Sequence, residues 1–374
     1  MKKVLITGGA GFIGSNLSLQ LKKKGYEVTV LDNLSPQIHG ENSELYNSIK
    51  DEVQFIKGDV RNAADWHKAL DGQNIIIHLA AETGTGQSMY EVQKYVDTNI
   101  NGTAILLDYL VNEKHNVEKV VIASSRAIYG EGKYECKEHG FVYPEDRVEN
   151  DLVAGDFDPK CPLCNGELKV LATDETAKIH PSSVYGITKQ NQEQMVLNVC
   201  KSIGLAAVAF RYQNVFGPGQ SLKNPYTGIL SIFSTQIRNG NNINIFEDGL
   251  ESRDFVYIDD VVNATILGIE SEAANGEVFN VGFGKAITVI EVAETLKNLY
   301  DSKIEIKVSG NFRLGDIRHN FADLSKIREK LHFVPQYDFK TGVTAFVKWV
   351  KNQEINQDNY SKSIQELKEK GLFK

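Results

Sequence analysis

Lys3-Val4-Leu5-Ile6-Thr7-Gly8-Gly9-Ala10-Gly11-Phe12-Ile13-Gly14 is the stretch that decides the fold. A short apolar run feeds a glycine turn and then a helix start, the arrangement with which doubly wound α/β folds hold a dinucleotide pyrophosphate. Without side chains at Gly8, Gly11 and Gly14 the backbone can approach phosphate oxygens. The helix opening at Phe12 and Ile13 adds free N–H groups and partial positive charge. The spacing is GxxGxxG rather than the commoner GxGxxG, so the rest of the chain has to support the reading.

It does so at regular intervals. The run Glu27–Leu31 ends at Asp32-Asn33, and Asp32 lies 18 residues beyond Gly14. A carboxylate there accepts hydrogen bonds from the adenosine ribose hydroxyls and repels a 2′-phosphate, which predicts NAD rather than NADP. A third run, 53–57, ends at Gly58-Asp59-Val60, where Asp59 is expected to meet the adenine. A fourth, 74–78, ends at Leu79-Ala80-Ala81, small enough to lie against a cofactor. Each of these positions falls at the carboxyl end of an expected parallel strand, where such sheets bind ligands.

Strand signals near 3–7, 27–31, 53–57, 74–78 and 118–124 alternate with amphipathic segments, which predicts a parallel sheet covered by helices on both faces. A helical stretch from Tyr185 to Gly204 leads into a sixth strand near 205–211, and Val278–Val281 supplies a last one. The expected organisation is a Rossmann-type domain over 1–213, completed by about 257–283. Residues 214–256 and 284–374 form a smaller, discontinuous substrate domain, and about 130–182 form an insertion. The 374 residues carry 41 basic and 49 acidic side chains, net −8, which argues against a nucleic-acid surface. No apolar run is long enough for a membrane span, and no signal-peptide pattern precedes the first strand, so cytoplasm is the expected compartment.

Tyr185 and Lys189 stand one helical turn apart. A phenol with an ordinary pKa near ~10 is a poor base at neutral pH. An ammonium and a cationic nicotinamide nearby would favour the phenolate, able to take a proton from a sugar hydroxyl as hydride leaves the same carbon. Ser125, ending the run Val120–Ser125, would present its hydroxyl to the same oxygen.

With these residues, TGGAGFIG (7–14), GDV (58–60), HLAA (78–81), NINGT (99–103), SSRAIYG (124–130), YGITK (185–189), RYQNVFGPG (211–219), SRDFVYIDD (252–260) and GDIRH (315–319), the chain resembles the nucleotide-sugar epimerases of the extended short-chain dehydrogenase/reductase family. The resemblance implies Ser125, Tyr185 and Lys189 as catalytic residues, supported by Asn99 beside the cofactor. It also implies Asn214, Arg253 and Arg318 as contacts to a sugar nucleotide, and a homodimer formed by helices near 97–112 and 186–203; Thr83 is expected at the sugar, and Arg126, beside the strand end, either shapes the sugar pocket or forms a salt bridge inside the fold. Relatives that eliminate water carry an acidic pair after the active-site Ser or Thr; here Arg126-Ala127 follow Ser125. The implied reaction is inversion at C4 through a 4-keto sugar. The segments 80–89 and 224–228 are similar to those of enzymes interconverting dTDP-L-rhamnose and dTDP-6-deoxy-L-talose, with a UDP-glucose/UDP-galactose pair as the alternative. A nucleotide-sugar dehydratase or oxidoreductase and a non-catalytic NAD sensor are the competing classes.

Between Ser125 and Tyr185 lie Cys136-Lys137-Glu138-His139 and Cys161-Pro162-Leu163-Cys164-Asn165-Gly166. CxxH followed by CPxCxG fits a closed tetrahedral Cys₃His zinc site, with a structural role because no coordination position stays open. Free thiols or a Cys161–Cys164 disulfide are the alternatives, the latter at odds with a reducing compartment. Cys200 is expected in the core.

Overall fold

In a computed structural model, residues 2–40, 43–224, 226, 228–355, 358 and 360–374 are described. Pro225 and Thr227, part of the 224–228 segment read above, lie outside them.

Seven strands form one parallel sheet: β1 (Lys3–Thr7), β2 (Glu27–Asp32), β3 (Gln54–Lys57), β4 (Ile75–His78), β5 (Lys119–Ser125), β6 (Ala206–Tyr212) and β7 (Glu277–Val281). Their order is β7-β6-β5-β4-β1-β2-β3. The order reverses between β1 and β4, so the crevice for a ligand opens above the carboxyl ends of those two strands. Val4, Ile6 and Ile77 face one buried cluster while Leu5, Ile76 and Ile122 face the other, as expected of strands covered on both sides. Helix α1 (Phe12–Lys23) follows β1 directly, and its glycine N-cap leaves the first N–H groups without a side-chain partner. Helix α2 (Gly102–Asn112) and the longer α3 (Val184–Ser202) pack on the face of β4 and β5. Cys200 is fully buried there.

The smaller unit is built around Ser252–Tyr257. This strand pairs in parallel with Asn214–Phe216 and His319–Asn320, and antiparallel with Ala286–Thr288. The insertion folds as a three-stranded antiparallel sheet, with Tyr134–Cys136 between Gly140–Val142 and Leu168–Val170. Its sheet packs around a small cluster of Tyr134, Cys136, Val142 and Cys161, while Leu152 and Phe157 pack with Phe312, and Ala177 with Ile128 and Tyr129. The polar tail forms a helix, Tyr360–Glu369. Its Glu366 accepts hydrogen bonds from Tyr90 Oη (3.2 Å) and Tyr226 Oη (2.8 Å), joining the segment after β4 to the smaller unit. No helix among the described residues is long and apolar enough to cross a membrane.

Candidate functional site

A cleft of about 460 Å³ runs over the carboxyl ends of β1, β2, β4 and β5. Gly8, Gly11, Phe12, Ile13, Gly14, Asp32, Asn33, Val60, Leu79, Ala80, Ala81, Thr83, Ser125, Tyr185, Lys189 and Asn214 all line it. At its floor the glycine turn leaves no room for side chains. A Cβ on Gly14 would stand 2.4 Å from the Gly8 carbonyl oxygen, and Gly8 adopts φ +67. The backbone therefore comes to the cleft surface, as close approach to a pyrophosphate requires.

At one end Asp32 is nearly buried. Its carboxylate accepts from Ala10 N–H (3.0 Å) and Leu34 N–H (2.9 Å) and faces His39 Nε2 at 3.3 Å. His39 closes a one-turn helix, Pro36–His39, and with Ser35 and Ile38 lines this end of the cleft. The sequence reading missed it, since a histidine seven residues past a strand carries no signal of its own. Asp59 points elsewhere. Its carboxylate holds Arg61 through two hydrogen bonds (2.9 and 2.8 Å) and Asn33 through a third (3.0 Å), which hold its pKa down to about 2. Val60, not Asp59, reaches the cleft.

At the other end, Ser125 at the tip of β5 and Tyr185 face the same end of the cleft, the Ser125 hydroxyl close enough to act on the phenol. Ser183 caps α3 by accepting from Gly186 N–H, and Ser88 Oγ accepts from Tyr185 N–H (3.0 Å), fixing where the helix starts. Burial raises the Tyr185 pKa, while the Ser125 hydroxyl and the charge of Arg126 lower it. Lys189 lines the cleft beside Tyr185. Its Nζ donates to Gln192 Oε1 at 2.5 Å, and burial lowers its pKa to about 7; the charge of Arg126 also acts on the phenol. Gln192 stands three residues along the same helix, a spacing from which its contact was legible. Gln192 Nε2 in turn donates to Thr103 Oγ1 (2.8 Å), which contacts His78 Nε2 (3.0 Å), and His78 Nδ1 meets Thr7 Oγ1 (2.7 Å). His78 is fully buried, and desolvation drives its pKa down to about 3, so this chain of contacts holds a neutral imidazole.

Asn99 lies outside the cleft lining, in a π-helical turn, Val96–Asn101. Its amide pairs with Glu82 N–H (2.8 Å) and C=O (3.1 Å) and donates to Thr188 Oγ1 (2.9 Å), tying the Ala81–Thr83 wall to α3. Thr98 reaches the cleft instead.

Of the three arginines, Arg126 and Arg253 carry no carboxylate partner among the described residues. Arg126 Nε donates to Asn214 Oδ1 (3.0 Å), and burial together with the nearby Arg253 lowers its pKa to about 9. Arg253 donates to three carbonyls, of Ser252 (2.8 Å), Arg318 (2.9 Å) and Ile317 (2.7 Å). Arg318 is different. It is 2% exposed and ion-paired to Asp248, Asp158 and Glu247, so its guanidinium is bound within the protein and does not line the cleft. The sequence pattern could not reveal this, because the acidic partners come from segments 70 and 160 residues away.

In the insertion, the ligand atoms of Cys136, His139, Cys161 and Cys164 all lie within 4.8 Å of one another. Cys136 Sγ stands 3.7 Å from Cys164 Sγ and 3.5 Å from His139 Nδ1, and Cys161 Sγ is 3.7 Å from His139 Nδ1. Zinc–sulfur bonds of about 2.3 Å at tetrahedral angles set sulfur–sulfur edges near ~3.8 Å and sulfur–nitrogen edges near ~3.6 Å. Three of the six edges match these values. Asn165, at φ +57, turns the chain so that Cys161 N–H bonds the Gly166 carbonyl (2.9 Å).

Comparison with known proteins agrees with this geometry. The family model described as NAD dependent epimerase/dehydratase family matches residues 4–146 and 165–282, leaving out the middle of the insertion. The chain is 37% identical over 360 residues to the dTDP-L-rhamnose 4-epimerase of Burkholderia thailandensis, covering 96% of this chain and 97% of that one. Among solved structures, UDP-glucose 4-epimerase of Thermotoga maritima with UDP-glucose superposes with TM-score 0.76 at 31% identity, covering 93% and 98% of the two chains. UDP-glucuronic acid 4-epimerase of Bacillus cereus, in complex with UDP-glucuronic acid and NAD, gives TM-score 0.75 at 26% identity, covering 93% and 99%. The chain belongs to the NAD dependent epimerase/dehydratase family and is an enzyme of its isomerase branch, a 4-epimerase.

Proposed function

We propose that this enzyme inverts C4 of a nucleotide sugar, using tightly held NAD⁺ and passing through a transient 4-keto sugar. The observation that carries the reading is that the glycine turn, Asp32 and the Ser125–Tyr185–Lys189 set open onto one cleft. When bound, NAD⁺ supplies a reversible hydride acceptor for C4. Gly8, Gly11 and Gly14 would lie under its pyrophosphate, Asp32 and Asn33 with His39 beside the adenosine ribose, Val60 near the adenine, and Leu79–Ala81 with Lys189 toward the nicotinamide end.

Tyr185 takes the O4 proton as C4 is oxidised, its phenolate made less costly by Ser125 and Arg126. The Ser125 hydroxyl holds the phenol in line with O4. Once the 4-keto sugar has turned over in the cleft, Tyr185 returns the proton to O4 and C4 is reduced on its other face. Arg126 and Ala127, following Ser125, offer no carboxylic acid to protonate a leaving hydroxyl, which separates this site from a dehydratase. Asn214 lines the cleft, and Arg126, which donates to it, and Arg253 would supply positive charge for a diphosphate beside it; guanidinium forks suit its oxygens.

The full-length likeness at 37% identity supports dTDP-L-rhamnose, converted to dTDP-6-deoxy-L-talose, ahead of UDP-glucose and UDP-galactose. We also assign a structural zinc to Cys136, His139, Cys161 and Cys164, a homodimer contributed by α2 and α3, and a cytoplasmic location. Proton NMR in D₂O tests the reaction: the protein as purified, with no added cofactor, is offered dTDP-L-rhamnose and then UDP-glucose. A C4-inverted product without ring deuterium is expected from the first. A released keto product, or deuterium entering at C5, would replace this reading with the dehydratase or oxidoreductase one.

A further inference from the structure

We infer that the insertion is part of the diphosphate subsite, because its Glu131 and Arg147 fix the backbone that aims Arg253. This rests on the reading of Arg253 as a diphosphate ligand. Arg253 has five N–H groups. Both on Nη1 go to the Ser252 and Arg318 carbonyls, and one on Nη2 goes to Ile317. The Nε–H and the second Nη2–H, which share one edge of the guanidinium, make no hydrogen bond among the described residues, and a side-on fork of that kind matches a phosphate. The direction of the edge is thus set by the carbonyls of residues 317 and 318.

Those carbonyls belong to a short stretch that the insertion grips from the other side. Both Glu131 carboxylate oxygens accept from Arg318 N–H, at 3.0 and 2.8 Å. Arg147 Nη2 donates to the Asp316 carbonyl at 2.7 Å, and its guanidinium is locked against Glu247 by two contacts of 2.8 Å. Arg147 Nε faces Glu131 at 3.3 Å, so the two gripping side chains also hold each other. The side chains of Glu131, Arg147 and Glu247 are 4–5% exposed. In such a cluster, removing a single member leaves a buried charge unpaired. Arg147 and Asp158, the latter on Arg318 Nε at 2.8 Å, both fall in the segment that the family model leaves out. This chain therefore positions a diphosphate ligand with residues of its own insertion.

The test is titration calorimetry of UDP and dTDP, with uridine and thymidine as controls, on the NAD-containing protein and its variants. Arg253→Gln is expected to weaken nucleoside diphosphate binding by about 30-fold, as loss of a charge-assisted pair does. Arg147→Gln and Glu131→Gln are expected to weaken it about 5- to 10-fold while leaving nucleoside binding and NAD content unchanged. In turnover they raise KM and leave kcat within about twofold. The double variant Arg147→Gln/Arg253→Gln should be no weaker than Arg253→Gln alone, the signature of one residue acting through the other. If Arg253→Gln binds like the parent, the reading of Arg253 falls. If Arg253→Gln is weakened but Arg147→Gln and Glu131→Gln are not, or if the effects simply add, the positioning role falls and the ligand role stands. Glu131→Gln keeps volume and one acceptor oxygen, so it carries the test should Arg147→Gln fail to fold.

Discussion

Replacing Arg318 by methionine separates what the GDIRH motif suggests from what the structure assigns. As a substrate contact, Arg318 would cost affinity and little stability when removed. In the fold its guanidinium holds Asp248 through two contacts of 2.7 Å, Asp158 at 2.8 Å and Glu247 at 3.1 Å, with the arginine itself 2% exposed. Breaking a buried pair from one side costs about 3–5 kcal/mol, because the partner charge is left without compensation. Two of the three partners reach water, Asp158 at 65% and Asp248 at 37% exposure, and those contacts are discounted accordingly. Glu247, 5% exposed, keeps both its contacts with Arg147. The loss is therefore set at the low end, about 3 kcal/mol. It should appear in urea unfolding followed by tryptophan fluorescence, and as a melting temperature lowered by roughly 5 °C. Asp158→Asn, acting on the exposed contact alone, should cost less than ~1 kcal/mol. An Arg318→Met protein of parental stability with an impaired KM would refute the scaffold assignment.

Tyr185→Phe should lower turnover by roughly 10²–10⁴-fold with NAD content intact; parental activity would remove Tyr185 as the base. Protein prepared without chelator should contain one zinc per chain by plasma mass spectrometry, and Cys161→Ser should lose it and become protease-sensitive within 130–182. Metal-free wild-type protein with a protected insertion would show that the four side chains are free thiols. For His78 the folded pKa, about 3, lies below the ordinary 6.5, so the unfolded chain binds the extra proton. Its contribution to stability is whole above pH 6.5 and is lost progressively as the pH falls toward 3. His78→Gln should therefore flatten the decline in urea-unfolding stability between pH 6.5 and 4, against an opposite trend from Glu131, whose pKa is raised to about 7 and which is present in both proteins. An unchanged slope would contradict the buried neutral imidazole.

The sheet was legible because apolar runs of four to seven residues end in glycine, small or acidic residues at each carboxyl tip, and the cleft is built from those tips. Asp32, Ala80, Ser125 and Tyr185 meet because the period of the βα units places them there. What was not legible has long-range causes. Arg318 and Arg253 both sit in motifs that suggest ligand contact, yet only the three-dimensional placing of Asp158, Glu247 and Asp248 separates them. Lys189, by contrast, meets Gln192 three residues along the same helix, a local contact that the spacing left in view. The tail gave only a weak amphipathic signal at 360–367, because Glu366 works through two tyrosine hydroxyls far away in the chain.

β5 and β6 are hydrogen-bonded neighbours along their whole length, yet 81 positions separate Ser125 from Ala206. Joining them during folding means closing one of the longest loops in the sheet. An insertion that folds on its own around a metal would act as a rigid bead, leaving roughly 30 flexible residues to close instead of about 80, an entropic saving near ~0.9 kcal/mol. Zinc bound during synthesis would then speed the joining of β5 and β6 by up to about fivefold.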